Sequence, residues 1–165
     1  MMVPSPALVD VLFREGHHLD RRNWQAWLEL YTEDAVFWLP AWRSEAELCA
    51  SPDTDLSLIY YESRGGLADR VWRATSGLSV ASTPLPRTTH AVSNVILREP
   101  ATDDEAKLAA TWTTQVYDPK SHRQQIFFGL YEHDLRREPQ GWRISRKKIV
   151  LMNDRISTSL DFYCL

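Results

Sequence analysis

Apolar side chains near the amino terminus recur with a helical period. Leu8, Val9, Leu12, Phe13, Gly16 and Leu19 fall on one stripe, and Ser5 before Pro6 offers a cap with proline at the first helical position. After Asp20 or Asn23 as a second cap, Trp24, Trp27, Leu28 and Tyr31 repeat at i, i+3, i+4 and i+7. That spacing predicts a second helix, ending near Thr32, with its aromatics on one buried face. The pattern then shortens. Ala35 to Leu39 is an apolar run closed by Pro40, which predicts a short strand, and Leu56 to Glu62, with Ile59, Tyr60 and Tyr61, predicts another. Ser44 to Asp55 between them is acidic and loop-like. Leu67, Ala68, Val71 and Trp72 then give a third helix stopped by Gly77, with Asp69, Arg70 and Arg73 on its wetter side.

From Leu78 to Arg87 the residues are small and interrupted by Pro84 and Pro86, which removes backbone donors and forces an extended, rigid loop. Four long segments follow: Thr88 to Arg98, Lys107 to Tyr117, Arg123 to Leu135 and Trp142 to Asn153. Each is rich in β-branched or aromatic residues and bounded by polar, Pro or Gly turns, so they predict hairpin-linked strands of an antiparallel sheet. Residues 1–165 show no repeat, low-complexity tract or break, and read as a single α+β domain. Long strands curving over helices from the amino-terminal half predict a cone-shaped half-barrel, as in the nuclear-transport-factor-like and scytalone-dehydratase-like folds.

Composition narrows the function. Lys+Arg 19 against Asp+Glu 22 leaves a net charge of -3, too balanced for a protein built around nucleic acid or an anionic membrane. Cys49 and Cys164 lie far apart, outside any C-x-x-C spacing, so neither a disulfide framework nor a zinc ribbon is predicted. No stretch approaches the roughly 20 apolar residues of a membrane helix, and Met1 to Asp10 lacks a leader pattern, so a cytoplasmic protein is expected. Seven Trp, six Tyr and five Phe exceed what modest hydrophobicity requires. Those rings suit either a roomy core or buried subunit contacts.

Chemistry-bearing residues do not assemble into a set. A Rieske cluster needs paired Cys and His on close loops, and the chain has neither C-x-H nor C-x-x-H. Mononuclear iron needs two His and a carboxylate, and His17, His18, His90, His122 and His133 do not pair in sequence. Adjacent His17 and His18 diverge on a helix, His122 sits in a turn, and His133-Asp134 at a strand end points two ways. His90 shares a strand face with Val92, Asn94 and Ile96; inside a cone it could serve as a general base, helped by Asn94 or a carboxylate of the first two helices. A core histidine bonded to a carbonyl is the competing reading. Arg64-Gly65-Gly66 reads as turn chemistry, not a phosphate cradle. Alternation splits Arg143, Arg146, Lys147 and Lys148 between two faces of a strand, which dissolves an apparent basic patch.

Longer runs carry a family signature. The run from Leu58 through Arg64-Gly65-Gly66-Leu67-Ala68-Asp69-Arg70-Val71-Trp72-Arg73, then Gly77, Ala81-Ser82-Thr83-Pro84-Leu85-Pro86-Arg87-Thr88 and His90 to Val95, resembles the beta subunit of aromatic-ring-hydroxylating dioxygenases. Trp38-Leu39-Pro40-Ala41-Trp42, Ile144 to Lys148 and Leu160-Asp161-Phe162-Tyr163 are similar to its benzoate, toluate and anthranilate branch. Cys164 departs from the pattern, where a larger polar residue is expected, and Ser44 to Asp55 is not distinctive.

The resemblance implies a cone-shaped subunit with no redox centre of its own, in a complex of three alpha and three beta subunits with beta-beta contacts. Alpha is then expected to hold the Rieske 2Fe-2S cluster, the mononuclear non-haem iron and an aromatic acid, which the complex converts to a cis-dihydrodiol or catechol. Electrons would come from NADH through a separate reductase. No catalytic, cofactor or metal residue is expected in this chain. Arg64, Arg70, Arg73 and Arg87 are candidates for bidentate bonds to a partner's carboxylates, although pairing with Glu62 or Asp69 competes. Trp72, Trp112 and Tyr163 are the candidate aromatic anchors. The alternative is a self-sufficient cone enzyme, a dehydratase or isomerase using His90 with an Asp and a Tyr; a ligand-binding module ranks third. A filled interior favours the subunit, and an open pocket with His90 beside an ionisable partner favours the enzyme.

Overall fold

The computed structural model describes residues 2–154, 156 and 159–165. Helix α1 (Pro6–Asp20) is followed by a short α2 (Trp24–Leu28), strands β1 (Tyr31–Pro40) and β2 (Ser57–Tyr61), and α3 (Arg64–Thr75). Strands β3 (Arg87–Leu97), β4 (Glu105–Asp118), β5 (Arg123–Glu138) and β6 (Gly141–Leu151) then form a meander. One six-stranded sheet in the order β2-β1-β6-β5-β4-β3 curves around the helices. Its inner face and the helices share one core, centred on Trp27, Tyr31, Phe37, Phe127 and Phe162. The α+β cone expected from element order is the observed architecture.

Three details differ from the sequence reading. The second helix stops at Leu28, and Tyr31 begins β1. The aromatic stripe is real, since Trp27 and Tyr31 meet edge to face at 5.2 Å, but the Ile144 amide bonds the Leu30 carbonyl at 2.7 Å and draws the chain into the sheet. Tertiary pairing outweighs helical period there. The sheet is also not purely antiparallel: β1 runs parallel to β6, which the long excursion through β2, α3 and the meander permits. Finally, the buried stripe of α1 is Leu8, Val11, Leu12, Glu15, Gly16 and Leu19, leaving Phe13 half exposed and a carboxylate inside.

Local chemistry sets the boundaries. Pro6 opens α1, Ser63 caps α3 by accepting from the Gly66 amide, and Gly77, at φ +78°, follows its last turn. At Gly129 a Cβ would lie 1.8 Å from the Val150 carbonyl oxygen, so only glycine lets β5 pass β6 at that point. No helix among the described residues is long and apolar enough to cross a membrane.

Candidate functional site

The inner face of the sheet holds a charged cluster. Glu15 comes from α1, Tyr31 from the start of β1, His133 from β5 and Lys147 from β6, and all four are at most 2% exposed. Lys147 Nζ donates to Glu15 Oε1 at 2.8 Å, the Tyr31 hydroxyl donates to the same oxygen, and His133 Nε2 donates to Oε2 at 3.1 Å. Lys147 also reaches the Leu165 carbonyl at 3.4 Å and sits 4.2 Å from the centre of the Tyr131 ring. Burial alone would raise the Glu15 pKa, but the Lys147 ammonium and the His133 bond outweigh it and hold the carboxyl well below its usual range. Burial pushes His133 down, only partly offset by Glu15, so its ring is neutral with the proton on Nε2. Tyr31, His133 and Lys147 thus all donate to one carboxylate, a strut between helix and sheet in which the buried His133 Nδ1 has no hydrogen-bond partner among the described residues.

His90 lies beside that strut, on β3. Its Nδ1 is 2.6 Å from Asp20 Oδ1, at the end of α1, and its backbone amide donates to Asp20 Oδ2 at 2.8 Å. Thr88 adds a hydroxyl bond to the same carboxylate at 3.0 Å. A carboxylate from the first helix thus does reach His90, whereas Asn94 does not. The ladder slips between Ser93 and Ile96, Asn94 takes φ +53°, and its side chain turns outward to Thr111. Gly16 brings α1 close, with its missing Cβ 3.0 Å from the His90 Cβ. A hollow of about 360 Å³ lies at the pair, lined by Asp20 and His90 themselves with Phe13, His17 and Val92, and the bonds between Asp20 and β3 clasp that strand to the end of α1.

The remaining donors disperse. His122 bonds Tyr117 in its turn at 3.0 Å, and His17 and His18 splay at 69°. Among the described residues no group of three or more His, Cys, Asp or Glu side chains is placed to hold a metal ion, so the donor set does not fit an iron centre.

The seven candidate contact residues separate by location. Trp112 stacks on Tyr131 at 5.1 Å inside the core, and Tyr163, 3% exposed, bonds Ser82 at 3.0 Å. Arg70 grips Asp161 in a bidentate pair at 2.9 and 2.8 Å, within its own chain. Arg64 donates to the Tyr31 carbonyl at 3.1 Å and lies 3.6 Å from Glu33. In the lone chain all four contact the chain's own groups, while the Arg64 and Arg70 side chains keep 28% and 29% exposure. Trp72 (63% exposed), Arg73 and Arg87 keep open surface; Arg87 lies over the Tyr117 ring.

The interior is closed by the final segment. Phe162 stacks on Trp27 at 5.0 Å, and Phe162, Tyr163, Cys164 and Leu165 are all buried, held by the Arg70–Asp161 pair and by Lys147. Sequence reasoning missed Glu15, His133 and Lys147. The signal was present: Glu15 interrupts the Leu8, Val11, Leu12, Leu19 stripe, and Lys147 falls at an inward position of β6.

Comparison with known proteins agrees with this geometry. The family model described as "Ring hydroxylating beta subunit" matches residues 14–158. The beta subunit of toluate 1,2-dioxygenase from Pseudomonas putida is 39% identical over 163 residues, covering 99% of each chain. The crystal structure of the beta subunit of benzoate 1,2-dioxygenase from Burkholderia mallei superposes with a TM-score of 0.79 at 34% identity, covering all of both chains. An NTF2-like protein from Novosphingobium aromaticivorans, 14% identical, covers 92% of this chain and 84% of its own with a TM-score of 0.63, a likeness of fold alone.

Proposed function

The chain belongs to the ring-hydroxylating beta-subunit family, and from that premise we propose that it is the small, non-catalytic subunit of a dioxygenase acting on an aromatic acid. The observation that carries this is likeness along the whole chain to the beta subunits of toluate and benzoate dioxygenases. The interior supports it: the ionisable groups of the Glu15 cluster bond one another, and aromatic rings pack with the last residues in one core. Its partner is the catalytic alpha subunit, which carries the redox cofactors. A Rieske cluster and a mononuclear non-haem iron in that partner, NADH as electron source through a reductase, and three copies of each chain complete the proposal. Trp72, Arg73 and Arg87 are proposed as contact residues, because they keep free surface and their charge or ring suits a subunit boundary.

Purification of the chain with and without a catalytic subunit tests the reading. Aromatic-acid turnover is expected only in the complex. Turnover by the lone chain, or iron bound to it stoichiometrically, would overturn the proposal.

A further inference from the structure

Most basic side chains of the outer sheet face are already engaged. Arg98, Arg146 and Lys148 pair with Glu132, Arg136 pairs with Asp34, and Lys107 pairs with Glu99. At the opposite end of the meander the pattern changes. Arg87, Lys120 and Arg123 have no ion pair among the described residues, in a chain whose net charge is -3. They gather where the proline loop meets the turn between β4 and β5.

A cavity of about 510 Å³ opens there, lined by Val80, Pro84, Pro86, Val116, Lys120 and Arg123. Asp118 also lines it; its carboxylate accepts from the Lys120 amide at 2.8 Å and the Ser121 hydroxyl at 2.6 Å and stays ionised, so Lys120 and Arg123 together leave the rim with an excess of positive charge that Asp118 only partly offsets. The loop is held from behind, since Arg22 donates to the Leu85 and Pro86 carbonyls at 3.3 Å. A socket already shaped this way loses little conformational freedom on binding. Leu78 and Val80, 73% and 80% exposed, extend the apolar surface beyond the cavity edge.

We propose that this mouth is the socket for an acidic segment of the catalytic subunit. An apolar side chain of that segment enters between Val80, Pro84 and Val116, and a neighbouring carboxylate is held by Lys120 and Arg123, with Arg87 outside them. The occupant is a protein segment because a small anion inside the cavity would leave Leu78 and the outer face of Val80 in water, whereas a chain crossing the rim covers both. The unpaired cations give its charge. The inference rests on the assembly role proposed above and names the surface that performs it.

The test is association of the chain with its catalytic subunit, comparing wild type, Lys120→Glu/Arg123→Glu at the mouth, and Arg137→Glu/Arg143→Glu at the far end of the sheet. The mouth reversal is expected to weaken association about tenfold or more and flatten its salt dependence, with the far-end reversal close to wild type. A photo-crosslinker placed at Val80 is expected to capture the catalytic subunit. Circular dichroism of each lone variant confirms folding. Unchanged affinity of the mouth variant, or equal loss in both variants, overturns the socket. So does benzoate binding to the lone chain that vanishes on mouth reversal while assembly persists. If wild type itself fails to associate with a catalytic subunit, the assembly role falls as well, and that result is distinct from any variant effect.

Discussion

Lys147 and Glu15 form an ion pair of 2.8 Å in the interior, joining the middle of β6 to the middle of α1 across 132 positions of sequence. Such a pair is weak evidence for stability as a whole, but breaking it leaves one buried charge without a partner. Lys147→Met is therefore expected to cost about 3 to 5 kcal/mol in urea unfolding. The double variant Glu15→Leu/Lys147→Met is expected to recover most of that loss, although His133 and Tyr31 then lose their acceptor. A single variant as stable as wild type would show that the pair does not brace the fold.

Acid is expected to loosen the protein in two stages. The Glu15 carboxyl is depressed on folding, so its contribution is complete above the ordinary value of 4.5 and declines as pH falls below it. His133 is also lower than its ordinary 6.5 when folded, so the unfolded chain takes up its proton first and stability begins to drop below pH 6.5. Melting temperature against pH should therefore fall gently from 6.5 and steeply below 4.5. Glu15→Gln should lower the plateau and make the steep limb shallower, leaving the part that Asp20, Asp34 and the other depressed carboxylates contribute.

Gly129→Ala is expected to be among the most damaging conservative changes. The new methyl would overlap the Val150 carbonyl, and backbone cannot move aside as a flexible side chain would. A loss of about 3 kcal/mol is expected, with faster amide exchange along β5 and β6. Wild-type stability would mean that the strands part without cost.

The Arg70–Asp161 fork ties α3 to the final segment. Arg70→Lys cannot reproduce two parallel bonds to one carboxylate, so exchange protection of the Phe162 and Cys164 amides is expected to fall in both Arg70→Lys and Arg70→Ala. The loss of stability should be about 1 to 2 kcal/mol, since the guanidinium is partly in water. Unaltered protection would place the anchoring elsewhere.

His90→Asn separates the subunit reading from the cone-enzyme reading. It removes the ring that clasps Asp20 and should lower the melting temperature, yet turnover per assembled complex is expected to stay at the wild-type level. A loss of turnover with assembly intact would restore His90 as a catalytic group.

Local pattern by itself determined most of the architecture. Period-2 alternation placed the four long strands, caps and glycine placed α1 and α3, and element order gave the cone. The family was legible too, because its signature lies in continuous runs such as Arg64 to Arg73. Alternation also sent Lys147 to the opposite side from Arg146 and Lys148.

Only the tertiary structure decided which groups meet. Tyr31 left its predicted helix because the Leu30 carbonyl found the Ile144 amide, and β1 joined β6 in parallel, both pairings between segments more than a hundred residues apart. Asn94 was turned away by a slip in the ladder that no residue pattern announced. Trp112 and Tyr163, plausible anchors on composition, went into the core, while Trp72 stayed outside. Periodicity records which face of an element is apolar, since that depends on near neighbours. What covers the face, and which cation finds which carboxylate, depends on contacts distant in the chain, and those exist only once the sheet has closed around α1.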